Sequence, residues 1–142
     1  MSSSSNEPIK TFTVDEANAL LPLVRPLIGR LQGLQRSMAA INRQLEESAR
    51  KVSAGNGYPI QSLKQEIERL SKRAPELVER FESALKQLEA LGCQLKDLET
   101  GLGDFYGLHD GQLIFLCWKL GEDRIRFWHT LEDGYAGRRP LE

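Results

Sequence analysis

The sequence predicts an α+β fold: a long antiparallel, coiled-coil-like helical hairpin packed at one end on a small antiparallel β-meander. Three observations predict it. Apolar residues recur at alternating steps of three and four through two separate segments, a turn-rich stretch joins those segments, and after Gly92 the helical period gives way to two-residue alternation around an Asp-Gly turn.

The chain opens with Met1–Lys10, a serine-rich stretch with neither a basic nor an apolar region, which reads as a disordered tail rather than a secretory signal. Residues 11–142 read as a single domain, with the hairpin over 13–92 and the meander and C-terminal loop over 93–142. Thr13-Val14-Asp15-Glu16 is a capping box preceded by Phe12 at the staple position, which sets the first helix start. The seam then runs Ala17, Leu20, Val24, Leu27, Leu31, Leu34, Met38, Ile41, Leu45, Ser48 and Val52, with Ser48 its one polar member. Ser53–Pro59 is a linker. The second seam runs from Ile60 through Leu63, Ile67, Leu70, Ala74, Leu77, Phe81, Ala84 and Leu88 to Leu91, and Gly92 is its natural stop. A short connection makes two long helices antiparallel neighbours. Pro22, Pro26 and Pro75 fall inside the helices without a slip of phase, so kinks or short breaks are expected there. Leu21, Leu23 and Ile28, and on the second helix Val78 and Leu85, widen the apolar face at one end, which the sheet is expected to cover.

Strands are expected over Gly101–Gly107, Gln112–Leu120 and Arg124–Leu131, with Cys93–Leu98 as a fourth. His109-Asp110-Gly111 and Gly121-Glu122-Asp123 supply turns. Ile114, Leu116, Trp118 and Leu120 are expected on one face. Ile125, Phe127 and His129 are expected on one face of the next strand, opposed by Arg124, Arg126 and Trp128. An even-numbered loop would bring the two apolar sets together and place Cys117 and His129 on opposite sides.

Composition narrows the function classes. With 19 Lys plus Arg against 20 Asp plus Glu, the net charge of -1 argues against a nucleic-acid binder, which is normally basic. Arg36, Arg43 and Arg50, seven apart and opposite the seam, read as a solvated face. No apolar run spans a bilayer, and the absence of an export signal points to the cytoplasm with Cys93 and Cys117 as free thiols. Nucleotide-binding loops and the common hydrolase signatures are absent. No catalytic residue, cofactor or metal is assigned. Cys117, His129 and His109 are chemically able to ligate a metal, but no local ligand spacing supports a site. Trp128 alternates with arginines, a pattern better read as an arginine stem packed on the ring than as a base-stacking platform. The segment Asp133–Pro140 offers two glycines and the forked donors of Arg138 and Arg139 for an anion or a partner.

Phe12–Pro22, Gly101-Leu102-Gly103-Asp104-Phe105, Leu116–Glu122, Trp128-His129 and Gly134-Tyr135-Ala136-Gly137-Arg138 together resemble a family of small bacterial proteins catalogued as a domain of unknown function. The resemblance covers nearly the whole chain after the tail. It implies a cytoplasmic bacterial protein with a helical hairpin and a small sheet, and brings no activity with it. The family's distinctive residues would lie around Asp104, Cys117, Trp118, Trp128, His129, Gly137 and Arg138. This makes Asp104, Cys117, Trp118, Trp128, His129 and Arg138 the candidate binding residues. The leading functional expectation is a non-enzymatic interaction or scaffolding module that self-associates or docks a protein partner through its hairpin. The alternative is a small metal- or ligand-binding protein, or an enzyme, with its site where sheet and hairpin meet.

Overall fold

The capping box forms as its sequence requires. The Thr13 amide donates to Glu16 Oε1 at 2.8 Å and the Glu16 amide to Thr13 Oγ1 at 3.1 Å, satisfying two amides that no helical turn could reach. From there a computed structural model, which describes residues 8–55 and 57–141, gives α1 at Val14–Ala54 and α2 at Ile60–Ala90. The two long helices pack together as a hairpin. The expected tail falls largely on residues 1–7, which lie outside the described residues, as does Asn56 in the linker.

Both helices run unbroken through Pro22, Pro26 and Pro75. All three prolines are on exposed sides, where a carbonyl left without its amide donor can be hydrated, so the expected breaks do not occur. The described residues form two compact units, one within residues 30–86 and one of residues 8–29 with 87–141. In the first, Ile41, Leu70 and Leu77 are buried, and Leu34, Met38, Leu45 and Ala74 pack around them, all seam positions.

In the second unit, β1 (Gln94–Asp97), β2 (Leu102–His109), β3 (Gln112–Lys119), β4 (Phe127–Thr130) and β5 (Arg139–Pro140) form one antiparallel sheet in sequential order. A 3₁₀ turn at Tyr135–Gly137 precedes β5, a strand the sequence did not announce. Asp110, at φ 52, and Gly111, at φ 78, make the two-residue turn between β2 and β3, as the Asp-Gly signal requires.

The register between β3 and β4 corrects the expected faces. It pairs Phe115 with His129, Leu116 with Trp128 and Cys117 with Phe127. Ile114, Leu116 and Trp118 do share one side, but their neighbours on β4 are Trp128 and Thr130. Phe127 and His129 lie on the other side, with Phe115 and Cys117. The connection is odd in length, running from 120 to 126, so β4 is turned over relative to the even-loop expectation. Arg124 and Arg126 are exposed and precede the strand rather than belonging to it.

One side of the sheet packs on the start of α1. Phe12 meets Phe105 edge-on at 5.3 Å, the Arg25 guanidinium lies over Trp118 at 5.6 Å, and the Ile125 amide donates to Asn18 Oδ1 at 2.7 Å. Leu21, Val24 and Ile28 are buried here, whereas Leu23 is 55% exposed and takes no part in the expected wide face. Phe12 also fixes the end of α2. Gly92, at φ 95, presses so closely on the Phe12 ring that a Cβ there would lie 2.3 Å from it. Gly92→Ala therefore combines backbone strain with overpacking and should cost about 1–3 kcal/mol in urea unfolding. Gly33→Ala, in the middle of α1 with only the flexible Arg36 side chain at 3.8 Å, should instead stabilise by about 0.5–1 kcal/mol.

Candidate functional site

Strand alternation builds the site. Asp104 pairs across the ladder with Cys117, and His129 pairs with Phe115, the residue two before Cys117 on the same strand. All of these side chains therefore leave the sheet on the side away from Phe105 and Trp118. Asp104, Cys117 and His129 converge there, with their ligand-capable atoms all within 4.8 Å of one another. They are 1%, 0% and 2% exposed.

Burial is completed by aromatic and basic side chains. Tyr106 stacks on Phe115 at 4.8 Å, and Lys96 crosses the Phe115 ring at 4.3 Å. From the C-terminal segment, the Arg138 guanidinium lies over Phe127 at 4.2 Å and over Tyr135 at 4.7 Å. Its Nη2 donates to Glu122 Oε1 at 2.7 Å and, at 3.4 Å, to the Cys117 carbonyl. Gly137 permits the bend before Arg138, since a Cβ there would meet Asp133 at 2.4 Å.

The hydrogen bonds fix a proton count. His129 Nδ1 lies 2.7 Å from the Thr130 carbonyl oxygen, which can only accept, so Nδ1 carries a hydrogen. Nε2 lies 3.0 Å from Asp104 Oδ2. That contact holds one proton, either on an imidazolium facing a carboxylate or on a carboxylic acid facing a neutral imidazole. Burial raises the Asp104 carboxyl above its ordinary value, and His129 and Cys117 act against that rise. Burial, and then the Asp104 charge, push the Cys117 thiol up to about 12, although Arg138 favours the thiolate. Asp104 Oδ1 and Arg138 Nε are buried with no hydrogen-bond partner among the described residues.

Four of the candidate residues are thus brought together: Asp104, Cys117, His129 and Arg138. Two are not. Trp118 is buried on the α1 side with its indole N–H donating to the Glu122 carbonyl at 3.0 Å, and Trp128 lies on that side under Arg139 at 5.2 Å. An arginine does cover Trp128, but it is the Arg139 guanidinium, rather than the expected arginine stem, that lies over the ring. His109 stacks on Trp128 at 4.3 Å and takes no part in the cluster. Cys93 is also buried, on the α1 side, where a Cβ on Gly103 would meet its sulfur at 2.6 Å. The two thiols are free and leave the sheet on opposite sides. Sequence reasoning missed Glu122, which anchors Arg138, and Thr130, whose backbone carbonyl sets the imidazole tautomer. Neither role leaves a mark in residue type or spacing.

Fold and site define a class: an α+β protein in which a helical hairpin accompanies a meander sheet, with an Asp–Cys–His cluster buried on the sheet side turned away from α1. Within that class, the chain belongs to the family described as Uncharacterized conserved protein (DUF2203), whose model matches residues 10–141. No curated protein and no solved structure matches the chain significantly. Among the described residues, no helix is long and apolar enough to cross a membrane.

Both thiols should be kinetically silent in the native protein. Cys93, also pushed up to about 12 by burial and then by Asp104, and Cys117 should react with an aromatic disulfide reagent at pH 8 at least about 10³-fold more slowly than in urea-unfolded chain. Rapid native reaction of either would contradict the buried assignment.

Proposed function

We propose that the protein is a non-enzymatic interaction module whose helical hairpin joins a second copy of the same chain. The observation that carries this reading is an apolar groove on the hairpin of about 700 Å³, lined by Leu45, Ala74, Pro75 and Val78 and bordered by Glu79 and Glu82. Val78 stands 45% exposed in it. An apolar strip beside a packed seam is a surface on which a further helix can lie.

Charge selects a second copy as the occupant. The described ion pairs of α2 use Glu66, Glu68 and Glu76 and leave the bordering Glu79 and Glu82 without one. An antiparallel pairing of α2 with α2, centred between Pro75 and Val78, sets Val78 against the second copy's Pro75. It also brings Glu82 beside the second copy's Ser71 and Lys72. Each contact then occurs twice about a two-fold axis, as a closed dimer requires. The near-neutral chain has no overall positive charge of the kind that would favour a nucleic acid instead.

Size-exclusion chromatography with light scattering tests this over a concentration series. A reversible dimer is expected. Val78→Asp, an exposed position, should shift it to monomer without lowering the thermal midpoint of the monomer. A strict monomer at every concentration overturns the proposal, as does a dimer indifferent to Val78→Asp.

A further inference from the structure

We propose that Asp104, Cys117 and His129 form a binding site for one thiophilic divalent cation of the zinc class. The site lies on the sheet rather than on the hairpin, and the inference is independent of the dimer proposed above.

Geometry comes first. Four-coordinate zinc with bonds of about 2.0–2.3 Å holds its ligand atoms about 3.3–3.8 Å apart. A carboxylate oxygen, a thiol sulfur and an imidazole nitrogen already lie within 4.8 Å of one another. Closing the longest edge takes a shortening of at most about 1–1.5 Å, shared between the rotamers of two side chains. The Nε2–Oδ2 separation of 3.0 Å is slightly shorter than that edge because a proton occupies it, and a cation would take that proton's place.

The surroundings are those a ligating imidazole needs. A metal-bound histidine gives its other ring N–H to a carbonyl or carboxylate, which fixes the tautomer and aims the free lone pair. His129 Nδ1 does this at the Thr130 carbonyl, 2.7 Å away, leaving Nε2 to face Asp104 and the cation. Asp104 Oδ1 is a second sign, a buried carboxylate oxygen with no donor to satisfy it. In a protein interior such an atom is costly unless a proton or cation reaches it.

Charge fixes the class. Thiolate and carboxylate together supply two negative charges, matched by a divalent ion. Arg138 does not spoil the balance, because Glu122 Oε1 neutralises it at 2.7 Å. A sulfur ligand disfavours magnesium and calcium, which take oxygen, and a mixed N, O and S set suits zinc or cobalt(II). Three protein ligands leave the fourth position to water or to an added donor. The binding step balances simply: the cation enters, and the thiol proton and the proton shared by Asp104 and His129 leave to solvent.

The test uses the full chain, purified without a histidine tag, treated with chelator and titrated with zinc against a chromophoric competitor, and separately with cobalt(II). One equivalent of zinc should bind, and cobalt(II) should give the visible bands of a tetrahedral ion with a sulfur-to-metal charge-transfer band in the near ultraviolet. Cys117→Ser should abolish the charge-transfer band, whereas Cys93→Ser, on the other side of the sheet, should retain it. His129→Gln and Asp104→Asn should each weaken zinc binding at least about 10-fold. The Cys117→Ser substitution is nearly isosteric, and circular dichroism of each variant identifies any that fails to fold. The Cys93→Ser protein then still decides the matter. Substoichiometric zinc in folded wild-type and Cys93→Ser chains overturns the proposal, as does a cobalt spectrum without a thiolate band, or one that Cys117→Ser leaves unchanged.

Discussion

The two sides of the sheet are tied together by the pleat, and the rest of this structure follows from how that tie is set. Trp118 lies toward α1, where the Arg25 guanidinium covers its ring and the Asn18–Ile125 hydrogen bond holds the connection that follows β3. Once it does, Cys117 is forced to the opposite side, because successive residues of a strand point opposite ways. The ladder then delivers Asp104 beside Cys117 without further instruction. A polar cluster thus arises as the obligatory reverse of an apolar contact. A one-residue slip of β3 would exchange the two and bury Cys117 where the Trp118 ring now packs.

The outward side would ordinarily face water in an antiparallel sheet. Here the C-terminal segment returns over it, with the Arg138 guanidinium over Phe127 and Tyr135 and tied to the Glu122 carboxylate. Glu122 belongs to the turn after β3 and also accepts the Lys119 amide at 2.8 Å. The same carboxylate therefore shapes the turn and anchors the arginine that closes the cluster. Site and lid share one support, so the integrity of this turn and the burial of Asp104 are mechanically coupled.

The helices were legible in the sequence because burial on one side of a long helix leaves a periodic record. Every buried member of the Ile41–Leu70–Leu77 cluster is a seam position. The capping box was legible because its chemistry is local. The cluster was legible only as a set of residue types and a resemblance, and its geometry was not. Counting alternation from Ile125 put Phe127 and His129 on the apolar side. Ile125 does lie there, but it lies outside β4, and its amide is held by Asn18 rather than by a strand. The chain bends at 123–124 and joins β4 only at Phe127, and a two-residue period cannot be carried through irregular backbone. No residue between Gly121 and Arg126 announces that break, because it depends on a side chain distant in sequence. The resemblance groups Trp118 and Trp128 with Cys117 and His129 because they are sequence neighbours in its motifs. Adjacency in a strand means opposite sides.

Stability alone is a poor reason for the outward cluster. Three well-packed aliphatic side chains at positions 104, 117 and 129 would fill this side of the sheet without desolvating a carboxyl, an imidazole and a thiol. Replacing buried ionic groups by hydrophobic ones is often neutral or stabilising. The proton held between His129 and Asp104 makes the pair neutral overall, which limits the penalty but does not remove it, since Asp104 Oδ1 stays unsatisfied. A structural network optimised for folding would complete that bond, as buried polar groups in native proteins do. The incomplete bond lies within reach of a sulfur and of a nitrogen already aimed by its own backbone contact. That conjunction, rather than any single residue, is what separates a ligand set from a hydrogen-bonded core.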